Sequence, residues 1–502
     1  MKKENCKIKY FCENTSAHGF GHLTKSTNKW KLTWSISIVA AWSVASYQIA
    51  INCIRYSKSP TKSVVNQQHK ANVPFPAVTL CNLNPMRESY PGLDKIVNQT
   101  EINMLKAFLR DETLAAGSTI SLQASLVRVL SNQMYHQEEE AALAGHQLDD
   151  TIVECAMTTA DCDPEQFKQW HHMKYGNCFT ILPGNTTPST GPEEGLKLLT
   201  NIRVSEYMGA FTPSAGLRLE IHPREAMPFP EDAGITISPG TRTEIPIVYQ
   251  TSKRKPLPYD GTDCIASLDQ HKIHPNDTMY DSLGYKILGE NYSYTSRACL
   301  KSCTQALIAE KCHCVDSSQL APSLQKPIWG YAVRPCSIIY DTSCYFEEAG
   351  RIRTQHLCEK RCPQACFETD YVKLAVATKF PFQKYVRDLY IKEFLDPVRQ
   401  ERAEGLHGGP AEEMMRLAMF HFGLVVNDDL FERLLKSEVA AVANITSQME
   451  NNHADILVYF ERFNYLTYSQ EEEMSTWDLL SNIGGTLGTI VLSDKTEVCT
   501  VE

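Results

Sequence analysis

The sequence predicts an α+β membrane protein: one N-terminal transmembrane helix followed by a large, disulfide-rich extracellular domain. Three observations predict it. Leu32 to Ile54 is a run of 23 residues without Asp, Glu, Lys or Arg; fourteen of the 18 cysteines lie between Cys81 and Cys366; and short β-rich segments alternate with helical ones beyond the run. The 502 residues are 43% hydrophobic and 22% charged, an ordinary balance for a folded chain that excludes wholesale disorder. With 49 basic against 59 acidic side chains the net charge is −10, and no basic stripe is present to neutralise a nucleic-acid backbone.

As a helix the apolar run spans roughly 34 Å, enough for a bilayer core. Trp30, Trp34 and Tyr56 flank it, where amphipathic rings favour the interface. It is too long for a cleaved signal peptide and has no small-residue cleavage site. Lys2, Lys3, Lys7, Lys9, Lys25, Lys29 and Lys31 precede it against only Glu4 and Glu13, which places residues 1–31 in the cytosol. Residues 55–475 are then extracellular and the protein belongs at the plasma membrane. Sequons at Asn98, Asn185, Asn276, Asn291 and Asn444 on that side are candidate glycosylation sites; Asn14 begins another on the cytosolic side. A later apolar stretch, Ile483 to Leu492, is about half a bilayer long as a helix, so a single crossing is expected.

Residues 73–83, 215–223, 234–250 and 454–468 read as strands, the third broken by a Pro-Gly turn, and their wide separation suggests one sheet assembled from distant segments. Residues 101–130 carry helical apolar spacing, and the acidic stretch after them (Glu138 to Glu140, Asp149, Asp150) reads as a solvated face. Residues 384–440 read as helix interrupted by a loop at Gly405, Gly408, Gly409 and Pro410.

Cys299 and Cys303 are four residues apart on a helix-like segment, and Cys358, Cys362 and Cys366 again advance by four. That spacing puts thiols on one face, so two antiparallel helices could be bridged like rungs. Clustered thiolates are also zinc ligands, but no C-x2-C pair of zinc-ribbon type occurs and the compartment is oxidising. Disulfides are expected, with their connectivity open. No hydrolase, metalloprotease, P-loop or EF-hand signature is present, and His171-His172 is a weak metal pair, so neither a catalytic residue, a metal nor a cofactor is expected.

Several segments together resemble the epithelial sodium channel/degenerin/acid-sensing ion channel family, with the acid-sensing branch nearest in pattern. They are Phe75-Pro76-Ala77-Val78-Thr79-Leu80-Cys81-Asn82; His18-Gly19 before the apolar run; Tyr175-Gly176-Asn177-Cys178-Phe179-Thr180; His222 with Pro228-Phe229 and Gly234; and Leu479-Leu480-Ser481-Asn482-Ile483-Gly484-Gly485 followed by Gly488. The resemblance implies a β palm with helical finger, thumb and knuckle, and a homo- or heterotrimer with family subunits around an amiloride-sensitive pore with sodium as the permeant ion. It implies gating roles for His18, Gly19 and Ser481, a pore-entry segment at Gly484, Gly485 and Gly488, and a thumb–membrane contact through Tyr56 and Tyr259. It also implies seven bridges: Cys81–Cys178, Cys155–Cys162, Cys264–Cys366, Cys299–Cys362, Cys303–Cys358, Cys312–Cys344 and Cys314–Cys336.

Three departures qualify what the resemblance implies. Glu225 keeps one position of the family's proton-sensing acidic pair but Ala226 fills the other, and Glu347 and Glu348 stand out of register, so an extracellular proton, peptide or small molecule is expected as ligand. The stretch from Phe380 to Asp455 is longer than in compact members, as an insertion would be. From Thr489 to Glu502 the chain diverges from the family's second membrane helix, so residues 476–502 are expected to be a remnant of the segment before that helix and the chain a truncated subunit that does not conduct alone. The alternative reading is a non-conducting single-pass glycoprotein, either a ligand-binding or a dominant-negative subunit.

Overall fold

A computed structural model describes residues 10–11, 15, 20–69, 73–103, 120–184, 189–209, 211–256, 258–259, 264–265, 293–318, 333–337, 340–359, 361–421 and 427–491. The chain divides into two compact units: Met1–Val65 with Lys253–Cys264 and Tyr468–Glu502, and Asn66–Ser252 with Ile265–Thr467.

In the first unit the apolar run lies inside one 30-residue helix, Asn28–Ser57, reaching beyond the predicted 32–54 at both ends. It is long and apolar enough to cross a membrane by length and composition, and its side chains point outward on all sides, as with Leu32, Ile36, Val39 and Val44. A helix that served a soluble core would confine such residues to one stripe. The late apolar stretch begins earlier than its composition suggested, as the helix Thr476–Val491, which packs on the first.

In the second unit the strands form two main sheets rather than the single one expected. A nine-stranded sheet contains Thr241–Lys253, His453–Phe460, Leu196–Asn201 and Ile152–Met157 in that order; a five-stranded sheet runs Phe167–His172, Gly176–Ile181, Ala77–Asn82, Leu217–His222, Ile235–Ile237. The Pro-Gly turn is where the chain passes from one sheet to the other. Gly240 takes φ 70°, and a Cβ there would stand 2.6 Å from the Glu450 carbonyl oxygen, so glycine alone fits the crossing. Between the sheets lies the main core, with Phe75, Leu80, Leu198, Leu219, Ile247 and Phe460 all buried.

Helices add three satellites. Ile120–His136 and Glu138–Ala144 build one core with Met86, Met134 and Met173. The acidic stretch there is more than a solvated face: Tyr90 donates to Glu140 at 2.9 Å, and Asp150 pairs with Arg203 at 2.7 Å. Ser296–Cys312 and Thr342–Thr354 form a second lobe whose core is largely cysteine. The third lobe, within residues 383–452, has its own core of Val398, Met415, Met419, Phe431, Ile445 and Met449, and its helices break before Pro410 as predicted.

The structure joins Cys81–Cys178, Cys155–Cys162, Cys299–Cys362, Cys303–Cys358, Cys312–Cys344 and Cys314–Cys336, and Cys264 and Cys366 are disulfide-bonded as well. These pairs coincide with those the resemblance implies. The rungs are not strung between two helices, however. The second helix ends at Thr354, and His356 takes φ 51°, so Cys358 and Cys362 sit in the turns beyond it, their spacing satisfied by one bond from the Cys362 amide to the Cys358 carbonyl at 2.9 Å. Only Cys312–Cys344 links helix to helix.

Candidate functional site

Each unit holds one constellation of chemical interest. In the first, polar groups gather at the C-terminal end of the long helix. Arg55 pairs with Glu473, the Tyr56 hydroxyl meets Thr476 Oγ1 at 3.0 Å, Lys255 Nζ stands 3.3 Å from Glu472, and the Tyr259 hydroxyl donates to Glu472. That bond and Lys255 hold Glu472 below the usual carboxylate range, and the same bond raises the Tyr259 phenol. Tyr56 lies near enough to raise it further, so the two aromatic residues expected at a membrane contact share this cluster. Ser481, Gly484, Gly485 and Gly488 occupy the helix Thr476–Val491, with open space around the Cα atoms of Gly484 and Gly485. His18 and Gly19 lie outside the described residues, as do Asn185, Asn276 and Asn291; Asn98 is exposed, whereas Asn444 is half-buried within the helix Glu438–Asn452.

In the second unit a cavity of about 720 Å³ opens between the end of strand Leu217–His222, the loop through Phe229, the start of helix Ser296–Cys312 and strand Phe367–Lys373. Glu225 is exposed at its wall and its carbonyl accepts from the Ser293 amide at 2.7 Å. Glu347 and Glu348 do not line it. Both oxygens of Glu348 are engaged by Arg351, which holds that carboxyl below its ordinary range. The candidate sensing residues are therefore dispersed, one at the cavity and two along a helix.

His222 is the most enclosed group beside the cavity, and burial pushes it down to about 4. Its tautomer follows from its partners. Nδ1 lies 2.9 Å from the Pro223 carbonyl and so donates, leaving Nε2 to accept from the Thr79 hydroxyl at 2.9 Å. Thr79 in turn accepts from Thr180 at 2.8 Å or, in the reverse sense, donates to it, and Trp170 Nε1 donates to Thr180 at 3.2 Å. With Nε2 an acceptor, the first sense completes the chain Trp170, Thr180, Thr79, His222 across four neighbouring strands. His222 is a neutral anchor of the sheet rather than a titrating sensor at ordinary pH.

Glu220, Arg297 and Lys373 also face the cavity and escaped sequence reasoning. The Glu220 side chain is 2% exposed and 3.7 Å from Arg297. Burial pushes its carboxyl up to about 7, against the pull of Lys373 and Arg297. Alternation along a strand assigns Arg218, Glu220 and His222 to one face, which polar side chains mark as solvent-facing; no local signal says that a helix start and Phe229 cover it. His171 and His172, the weak metal pair, are spent locally: His171 Nδ1 lies 3.1 Å from Asn177 and His172 Nε2 3.2 Å from Glu231. Among the described residues no three His, Cys, Asp or Glu side chains stand together as metal ligands.

A family model described as "Amiloride-sensitive sodium channel" matches residues 11–491. The chain is 24% identical to the FMRFamide-activated amiloride-sensitive sodium channel of Cornu aspersum, over 94% of this chain and 78% of that one. It is 22% identical to the epithelial sodium channel subunit beta of Xenopus laevis (95% and 79% covered) and 26% identical to the bile acid-sensitive ion channel of Mus musculus (76% and 73%). These relatives are ion channels rather than enzymes. The match spans both units, from the residues before the long helix to the end of the last one, and the chain belongs to the amiloride-sensitive sodium channel family.

Proposed function

We propose that the chain is a subunit of a trimeric, amiloride-sensitive sodium channel of the plasma membrane, assembled with copies of itself or with other family subunits and opened by an extracellular ligand. The observation that carries this reading is the family match over residues 11–491. In it, helix Asn28–Ser57 crosses the bilayer with the N-terminus cytosolic and the second unit lies outside the cell. Ser481 with Gly484, Gly485 and Gly488 borders the pore, His18 and Gly19 act in gating, and the Tyr56–Tyr259–Glu472 cluster sits where a change in the outer domain reaches the membrane helices.

The relatives' names point to peptide and bile-acid ligands for those proteins, and a proton or small molecule is as compatible with this chain. Glu225 is kept as a sensing candidate because it faces a cavity; Glu348 is not, because Arg351 occupies it. Voltage clamp of cells expressing the chain alone and together with family subunits tests the reading. Amiloride-blocked sodium current that needs this chain is the expected result. No change in current on adding it to any family subunit would refute the channel role. A step from about pH 7.4 to about 5 without response would remove the proton as ligand.

A further inference from the structure

Glu220 stands apart from its neighbours at the cavity. Lys373 Nζ donates to the Ile221 and Ala233 carbonyls at 3.3 and 3.1 Å, His222 is satisfied at both nitrogens, and Thr295 Oγ1 accepts from the Ala298 amide at 3.2 Å, capping the helix that begins there. Glu220 alone is left short: Oε2 has no hydrogen-bond partner among the described residues, although the side chain is 2% exposed. A buried acceptor left unmet is destabilising, and one that faces a cavity marks a place for a donor from outside.

We propose that this cavity binds a small organic cation, an ammonium or guanidinium carried on an apolar body. Its N–H groups meet Glu220 Oε2, and the body packs against Met227, Phe229, Leu300 and Tyr371. Charge favours this class over an anion. Glu220, Glu225, Glu368 and Asp370 face the cavity against Arg297 and Lys373, four acids to two bases. A helix start would by itself favour an anion, but here Thr295 already caps it. The volume of about 720 Å³ suits a ligand of this size. Such a ligand touches both strand Leu217–His222 and helix Ser296–Cys312, so it ties the cysteine lobe to the sheet. Binding is independent of whether the chain conducts; if it does, the proposal names the class of its ligand.

The test is calorimetric titration of the full chain in detergent with phenethylamine at about pH 8, alongside 2-phenylethanol and 3-phenylpropionate as neutral and anionic counterparts. The amine is expected to bind at least tenfold tighter than either, and Glu220→Gln to weaken it at least tenfold. Arg297→Met, which leaves Glu220 without its nearest cation, is expected to tighten it several-fold and serves if Glu220→Gln does not fold. Equal amine affinity in the wild type and Glu220→Gln, tighter binding of the propionate, or weaker binding in Arg297→Met would overturn the proposal. Amine binding without any effect on current leaves the site standing and counts against ligand gating; current without amine binding does the reverse.

Discussion

Two helical lobes of the second unit are stabilised in opposite ways. The lobe of Ser296–Cys312 and Thr342–Thr354 carries four disulfides, and its core of Leu307, Ile308 and Ile352 is filled out by Cys312, Cys314, Cys336 and Cys358. The lobe within residues 383–452 contains no cysteine and relies on burial: Phe431, Met415 and Val398 are fully enclosed, with the Arg416 guanidinium 4.1 Å from the Phe431 ring centroid. Cross-links act mainly by restricting the unfolded chain, whereas a packed core acts through the folded state. A lobe of the first kind can stay stiff with little apolar surface, which suits one that must pass on a push without melting. The second kind is free to vary in length, and this is the segment whose length departs from compact relatives.

Buried carboxylates sharpen the contrast. Burial alone would raise Glu412, but Arg402, the Gly408 amide and Arg416 hold it below its ordinary range; Oε2 is 2.7 Å from Arg402 and Oε1 3.3 Å from Arg416. Glu220, against the cysteine lobe, lacks such partners and is pushed the other way.

The largest effect that could break this comparison is Phe431→Ala. It is expected to cost about 3–5 kcal/mol and to expose residues 383–452 to hydrogen exchange while residues 296–359 stay protected. Equal loss in both lobes would show that they do not fold as separate clusters. Replacing Cys303 and Cys358 by Ser is expected to cost about 2–4 kcal/mol, read as faster proteolysis of the cysteine lobe, and mild reductant should reproduce that pattern without touching the other lobe.

Glu412→Gln removes the charge that two arginines share and is expected to cost about 1–3 kcal/mol at neutral pH. Because the folded state depresses this carboxyl, the stability it contributes is present above its ordinary value near 4.3 and is lost as pH falls below that. The mutational cost should therefore vanish in acid; a cost that persists at about pH 3 would mean packing, not charge, is responsible.

Glu220 has the reverse sign and the smallest effect. Its folded value, about 7, exceeds the unfolded one, so the folded state carries a penalty above that value which disappears in acid. Glu220→Gln should raise the melting temperature at about pH 8 by a few degrees, roughly 2–4 °C for about 1 kcal/mol, and leave it unchanged near pH 4. Destabilisation at pH 8 would show that the carboxylate is paired after all.

Periodicity and composition carry far in this chain because they act locally. The run from Leu32 to Ile54 becomes one helix, since nothing inside it breaks an apolar segment of that length; the glycines before Pro410 end a helix; and the cysteine count commits the domain to disulfides. Where reasoning by spacing went astray, the cause was a contact distant in sequence. Cys358 and Cys362 have helical spacing, yet one hydrogen-bonded turn satisfies it once the chain has left the helix at Thr354. The four strand segments were legible one by one, but their division between two sheets depends on the crossing at Gly240, whose φ and closeness to Glu450 exist only in the folded chain.

The site divides along the same line. Glu225 could be found because motif spacing marks it, and Cys81 and Cys178 because they stand in quotable segments. Glu220 could not, because a strand's alternation places a charged side chain on the outer face and is silent about what later covers that face. Local chemistry thus determined the membrane-length helix, the strands, the helix breaks and the oxidising compartment. The pairing of sheets, the burial of Glu220 and the cavity it faces were decided only when segments some 75 to 150 residues apart, Leu217–His222, Ser296–Cys312 and Phe367–Lys373, met in space, since burial is a property of the neighbours a residue acquires and not of the residue.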